Sequence, residues 1–163
     1  MKIEITAAVV CLTVAAFFAV LQARPSAPHS QETPPPSGSN SRSVWDGVYT
    51  GEQAERGHSI YHDECAFCHG DTLDGGEEAS PLAGAQFLSN WNGLTVGDLF
   101  ERIRKSMPQS NPGKLTRQQT ADVIAYVFSF NKFPEGKVEL PPDAERLKQI
   151  RVEATKPDHS NDK

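Results

Sequence analysis

The chain has 163 residues, with 16 Lys or Arg against 21 Asp or Glu, and a formal net charge of −5. Its length suits one domain with extensions. The acidic balance and the absence of a basic stripe argue against nucleic acid as a partner.

The first 23 residues resemble an export segment. Residues 7–21 are apolar apart from Thr13, and Lys2 precedes them, which is typical of a secretory signal peptide. The run of 15 residues is long for a signal core and short for a spanning helix, which needs about 20. Residues 1–23 are therefore either a cleaved signal peptide or a retained N-terminal anchor. Either way we expect a periplasmic protein, held at the inner membrane only if the anchor is kept.

Residues 24–43 have the composition of a linker. They are dominated by Pro, Ser, Gln, Asn and Gly, and include five prolines. Such a segment cannot bury enough apolar surface to fold, so a disordered linker is predicted. Folded chain is expected from about Val44 to about Ile150. It comprises a main domain at 44–133 and the first part of a polar C-terminal extension at 134–163, which includes a short helix at 143–150.

The clearest functional motif is Cys65-Ala66-Phe67-Cys68-His69, which has the Cys-x-x-Cys-His pattern. Two thiols three positions apart on a helical turn can each add across one vinyl group of the same haem, and the next histidine can bind its iron. The pattern occurs once. It therefore predicts one covalent haem c, with Cys65 and Cys68 attached and His69 as an iron ligand.

Two other interpretations of the cysteine pair are weaker. A redox dithiol is expected near a βαβ pattern, which is missing here. A structural zinc site needs ligands from a second cluster, and no second cysteine pair is present. His58 and His62 share a helix face before the motif and are interpreted as surface residues.

Hydrophobic periodicity and capping residues predict an all-α fold of three to five short helices. No strand alternation is found. The aromatic residues Tyr61, Phe67, Phe87 and Phe100 are expected in the core. The predicted helices run from Thr50 to about His62, Gln86 to Asn90, Thr95 to about Lys105, Thr116 to about Phe130, and 143–150.

Between about Trp45 and Phe130 the sequence resembles the class I cytochrome c family. The motifs that carry the resemblance are Glu52–Gly57, Cys65–Gly70, Pro81–Gly84 and Met107-Pro108, followed by a last aromatic helix. The resemblance implies the class I cytochrome c fold, in which short helices wrap round one covalent haem. A looser likeness is to haem domains that work with quinoprotein alcohol dehydrogenases.

The resemblance also implies roles for single residues. Gly57 and Tyr126 would be the contact where the first and last helices cross. The carbonyl of Pro81 would accept a hydrogen bond from His69, and Met107 would be the second metal ligand rather than a gap-filling core residue. Trp91 would bond a haem propionate or only pack.

These residues predict a one-electron carrier and not an enzyme, because an iron with two protein ligands has no open coordination site. Its partners would be redox proteins: a dehydrogenase as donor, and an oxidase or another cytochrome as acceptor. The alternatives are a haem subunit dedicated to a quinoprotein dehydrogenase, or a haem sensor or peroxidase if Met107 binds weakly. A basic stretch from Arg102 to Arg117 is a hypothetical docking surface.

Overall fold

The computed structural model describes residues 42–77 and 79–158. Within this part the chain forms six α-helices and two short strands, Arg42–Ser43 (β1) and Ile150–Arg151 (β2), which pair in parallel. The all-α prediction is confirmed; the count exceeds three to five because two helices are single turns. The helices are α1 (Gly51–Glu64), α2 (Ala66–His69), α3 (Gly84–Trp91), α4 (Val96–Ser106), α5 (Arg117–Phe130) and α6 (Ala144–Leu147).

The two long helices, α1 and α5, begin at the predicted threonines. Thr50 Oγ1 accepts from the backbone N–H of Gln53 at 3.2 Å. At α5 the capping is reciprocal: Gln119 N donates to Thr116 Oγ1 at 3.1 Å, and Thr116 N donates to Gln119 Oε1 at 2.9 Å. Each cap satisfies backbone donors that the first helical turn leaves unpaired.

The long helices cross at Gly57. A Cβ atom at this position would overlap the backbone carbonyl of Asp122 and would lie 3.0 Å from Cβ of Tyr126. The predicted contact between Gly57 and Tyr126 is therefore confirmed, and its cause is the close approach of the two backbones.

A buried polar network joins the crossing helices to the C-terminal segment. The Gln53 side chain is fully buried; its amide nitrogen donates to Asp122 and to the Leu140 carbonyl, both at 3.1 Å. Leu140 N donates back to Gln53 Oε1 at 2.8 Å. Asp122 also accepts from Arg56 at 3.2 Å. Because its buried carboxylate has these donors, Asp122 does not carry the desolvation penalty of an unpaired charge.

Residues after Phe133 belong to the same folded unit, so the structure corrects the predicted boundary at residue 133. The side chains of Leu140, Leu147, Ile150 and Val152 are buried in the common core. The segment also forms α6 and then β2, so the predicted helix 143–150 is shorter and ends at Leu147. The sequence indicated only a polar extension here because these apolar residues follow no regular period.

The N-terminal boundary also shifts slightly. Ser43, which composition assigned to the linker 24–43, is buried, accepts from Trp45 N at 3.2 Å and donates from its N–H to Asp46 at 2.7 Å. Residues 1–41, with the predicted export segment and most of the linker, lie outside the described residues. Among the residues that are described, no helix has the length and apolarity needed to cross a membrane.

Candidate functional site

The Cys-x-x-Cys-His turn follows directly from α1. Cys65 N donates to the Tyr61 carbonyl at 2.8 Å, and the Cys65 carbonyl accepts from Cys68 N at 3.1 Å and from His69 N at 3.0 Å. At about 100° per helical residue, the side chains of Cys65, Cys68 and His69 fall within one arc of about 100°. The local fold therefore directs both thiols and the imidazole toward one side.

The His69 ring is oriented by a backbone carbonyl. Its Nδ1 lies 2.9 Å from the carbonyl oxygen of Ser80. Because a carbonyl can only accept, Nδ1 donates this bond, and in the neutral ring the lone pair is therefore on Nε2. This is the tautomer that an iron ligand needs, and such an acceptor also raises ligand basicity. The predicted acceptor, Pro81, was wrong by one residue.

The loop that presents Ser80 is held to the helices at both ends. Tyr61 Oη donates to the Gly70 carbonyl at 2.7 Å. Further along, the Leu82 carbonyl accepts from the side chain of Asn131 at 2.9 Å, immediately after α5. The loop acceptor for His69 is thus fixed by contacts to α1 and to the end of α5.

Both thiols are free, and they differ in environment. Cys65 is partly buried and Cys68 is exposed. Burial, followed by the nearby charges of Glu64 and Cys68, raises the pKa of the Cys65 thiol to about 11. The site therefore offers two unpaired thiols and one oriented imidazole nitrogen, the donor set that covalent haem c requires.

Met107 lies at the C-terminal end of α4 and is half-buried. Its N–H donates to the Ile103 carbonyl at 2.9 Å, and its backbone is extended (φ −127°, ψ 150°), as expected for a residue before proline. In the loop that follows, the Lys114 ammonium lies 2.6 Å from Oε1 of Glu64, the residue before Cys65. This contact brings the Met107 loop and the attachment turn together; the ligand role of Met107 stays a prediction.

The aromatic predictions have different outcomes. Tyr61, Phe87 and Phe100 are buried, as predicted, but Phe67 is fully exposed. Phe67 lies about 160° round the turn from His69, so it points away from the side that carries the thiols. Trp91 is half-buried with its ring centroid 6.4 Å from that of Phe87, and its propionate bond stays a prediction.

Other ligand arrangements find no support in residues 42–77 and 79–158. This part contains no group of three or more His, Cys, Asp or Glu side chains that could hold a metal ion. His58 and His62 are both exposed, as predicted.

The described part of the chain also has a cavity of about 390 Å³. Its lining includes none of the four predicted haem residues, Cys65, Cys68, His69 and Met107. It is lined by Thr72, Asp74, Ala83, Gly84, Leu88, Phe130, Asn131 and Lys132.

Residues 52–127 match the family model described as cytochrome c oxidase, cbb3-type, subunit III. The matched span contains α1 except its first residue, the Cys-x-x-Cys-His turn, Met107 and most of α5. The match places a c-type cytochrome domain at these residues, as the sequence predicted. A c-type cytochrome domain implies covalent haem c with its iron, and haem-based electron transfer.

Among solved structures, the sulfane dehydrogenase SoxCD from Paracoccus pantotrophus is similar to this chain. The identity is 21% and the TM-score 0.46, over 73% of this chain and 68% of that one. No curated protein matches the sequence.

Two elements of the site were not predicted from the sequence. Ser80 acts through its backbone carbonyl, which every residue has, so no side-chain signal marks it. The second is the ion pair of Lys114 with Glu64, which lies 50 residues earlier in the chain. Because no local pattern links the two residues, Lys114 was interpreted only as a docking charge. Only the folded structure brings such distant residues together.

Proposed function

We propose that this protein is an exported, periplasmic electron carrier with a single haem c, bound covalently by Cys65 and Cys68. His69 and Met107 are the axial ligands in this proposal. The observation that carries it is the hydrogen bond between His69 Nδ1 and the Ser80 carbonyl at 2.9 Å. In the neutral ring it places the lone pair on Nε2, on the same side of the turn as the two thiols.

The haem supplies an iron that gains and loses one electron. The chain's own residues would hold it: the thiols would prevent its loss, His69, oriented by the Ser80 carbonyl, would bind the iron, and Met107 would be the second protein ligand. With both positions closed, neither oxygen nor substrate has access to the iron, which favours outer-sphere electron transfer. The partners are redox proteins, with a dehydrogenase as donor and an oxidase or another cytochrome as acceptor.

The ligand assignment is tested with Met107→Ala. Thioether ligation raises haem potential, and axial ligands spread potentials over about 0.8 V. The variant should therefore have a potential lower by on the order of 100 mV, and its ferrous form should bind carbon monoxide. Potentiometry and absorption spectroscopy measure both.

Two control variants separate ligation from attachment. Gln109→Ala changes an exposed residue in the same loop and should leave potential and spectrum unchanged. Cys65→Ala with Cys68→Ala should abolish covalent haem while Met107→Ala retains it. If Met107→Ala matches the unmutated protein in potential and carbon monoxide binding, Met107 is not the ligand and the sensor or peroxidase alternative is favoured.

The proposed location has its own test. Cell fractionation should place the haem-containing protein in the periplasmic or inner-membrane fraction. Its intact mass should show whether residues 1–23 are retained, and a haem-containing protein confined to the cytoplasm would contradict the proposed export.

A further inference from the structure

The loop that carries Met107 connects α4 to α5 and is fixed at several points. Arg104 Nη1 donates to the Leu115 carbonyl at 3.0 Å, and the Leu115 side chain is buried. Between these ends, Asn111 N donates to the Pro108 carbonyl at 3.0 Å. These bonds shape the loop and tie it to α4. They do not connect it to the turn that bears the thiols.

That connection is made by an ion pair between Lys114 and Glu64. The Lys114 ammonium lies 2.6 Å from Oε1 and 2.7 Å from Oε2 of Glu64. The Glu64 side chain is 24% exposed and that of Lys114 is 48% exposed. Glu64 is the last residue of α1 and directly precedes Cys65. The pair therefore joins the Met107 loop to the backbone that positions the haem.

We propose that the Glu64–Lys114 ion pair is a latch that keeps the Met107 loop over the haem-bearing turn, which makes both residues positioning residues for the sixth ligand. The inference rests on the proposed function, because it concerns how firmly Met107 stays on the iron. Without the pair, the loop is still held to α4, but open arrangements with Met107 away from the iron are more populated. Each opening exposes the iron to an external ligand.

The chain contains a matched control in the same region. Lys105 pairs with Glu101 at 2.7 Å, also on the surface, but both residues lie within α4. Neutralising Lys105 removes one positive charge and one ion pair without breaking a link between the loop and the attachment turn. Lys114→Gln and Lys105→Gln thus differ mainly in the contact under test.

The test is the rate at which carbon monoxide binds the full ferrous haem protein at low salt. Lys114→Gln should speed binding by up to about fivefold, the range that ion pairs of this exposure give in double-mutant cycles, while Lys105→Gln should match the unmutated protein. The difference should become smaller in 1 M salt, because salt weakens a partly exposed ion pair without abolishing it. Glu64→Lys combined with Lys114→Glu should restore the slow rate. Thermal unfolding of each variant should show that the fold is retained.

Equal rates for Lys114→Gln and Lys105→Gln would overturn the latch, and so would a difference that persists unchanged in 1 M salt. The proposed function fails in a different way, namely if the unmutated ferrous protein binds carbon monoxide without delay. If the unmutated protein binds carbon monoxide slowly and the two variants bind it at equal rates, the latch is refuted but the proposed function is not.

Discussion

Gly57 shows how one residue sets the distance between the two long helices. Gly57→Ala should destabilise the protein by about 1–3 kcal/mol, because the added methyl group overlaps the Asp122 carbonyl and forces the helices apart. This exceeds the gain of up to about 1 kcal/mol in helix propensity. Chemical denaturation of the haem-containing protein measures the change in free energy of unfolding.

Ser59→Ala is the control for this prediction, because Ser59 is exposed on the same helix. It should change the free energy of unfolding by less than about 0.5 kcal/mol. An equally small effect of Gly57→Ala would show that the helices separate without cost.

Single-residue predictions succeeded where the side chain itself carries the information. The family pattern identified Gly57 because only glycine fits a close backbone approach. It placed the acceptor for His69 at Pro81 instead of Ser80. Every residue has a backbone carbonyl, so the sequence does not show which of two neighbouring residues accepts the hydrogen bond. Phe67 was expected in the core on its apolar character, but its position on the turn directs it to solvent.

At the level of elements, the helices predicted from capping residues and periodicity are all present. The contribution of the segment after Phe133 to the core was underestimated for a physical reason. Its buried residues, such as Leu140 and Val152, lie in irregular chain with no helical or strand period. Val152 N bonds the Leu94 carbonyl at 2.8 Å, a pairing between residues distant in sequence. Such contacts cannot be predicted from local patterns.

This segment is expected to be essential for stability. Ending the chain after Phe133 removes four large buried side chains, those of Leu140, Leu147, Ile150 and Val152, each contributing roughly 1.5–3 kcal/mol. It also removes the Leu140 backbone partners of the buried Gln53 amide. The loss is comparable to the usual total stability of about 5–15 kcal/mol. The shortened protein should therefore fail to give a cooperative thermal transition.

The control is a chain that ends after Asp158, which keeps every residue from 134 to 158. It should unfold at the same temperature as the full chain by circular dichroism. A stable, cooperatively folding protein that ends at Phe133 would restore the original domain boundary.

At the scale of the whole molecule, the basic stretch from Arg102 to Arg117 is less available for docking than its sequence indicated. Lys105 pairs with Glu101, and Lys114 pairs with Glu64. Arg104 is half-buried and bonds the Leu115 carbonyl. Three of its five basic groups are therefore engaged within the molecule, which weakens the hypothesis that this stretch steers an acidic partner.

The central claim is that one haem c has both axial positions filled by His69 and Met107, so that the protein carries electrons. The most direct measurement is the visible spectrum of the exported ferrous protein at neutral pH, before and after addition of carbon monoxide. A six-coordinate ferrous spectrum that carbon monoxide converts only slowly is the predicted result. Rapid and complete conversion to the carbon monoxide complex would show that the sixth position is open, and would contradict the electron-carrier assignment.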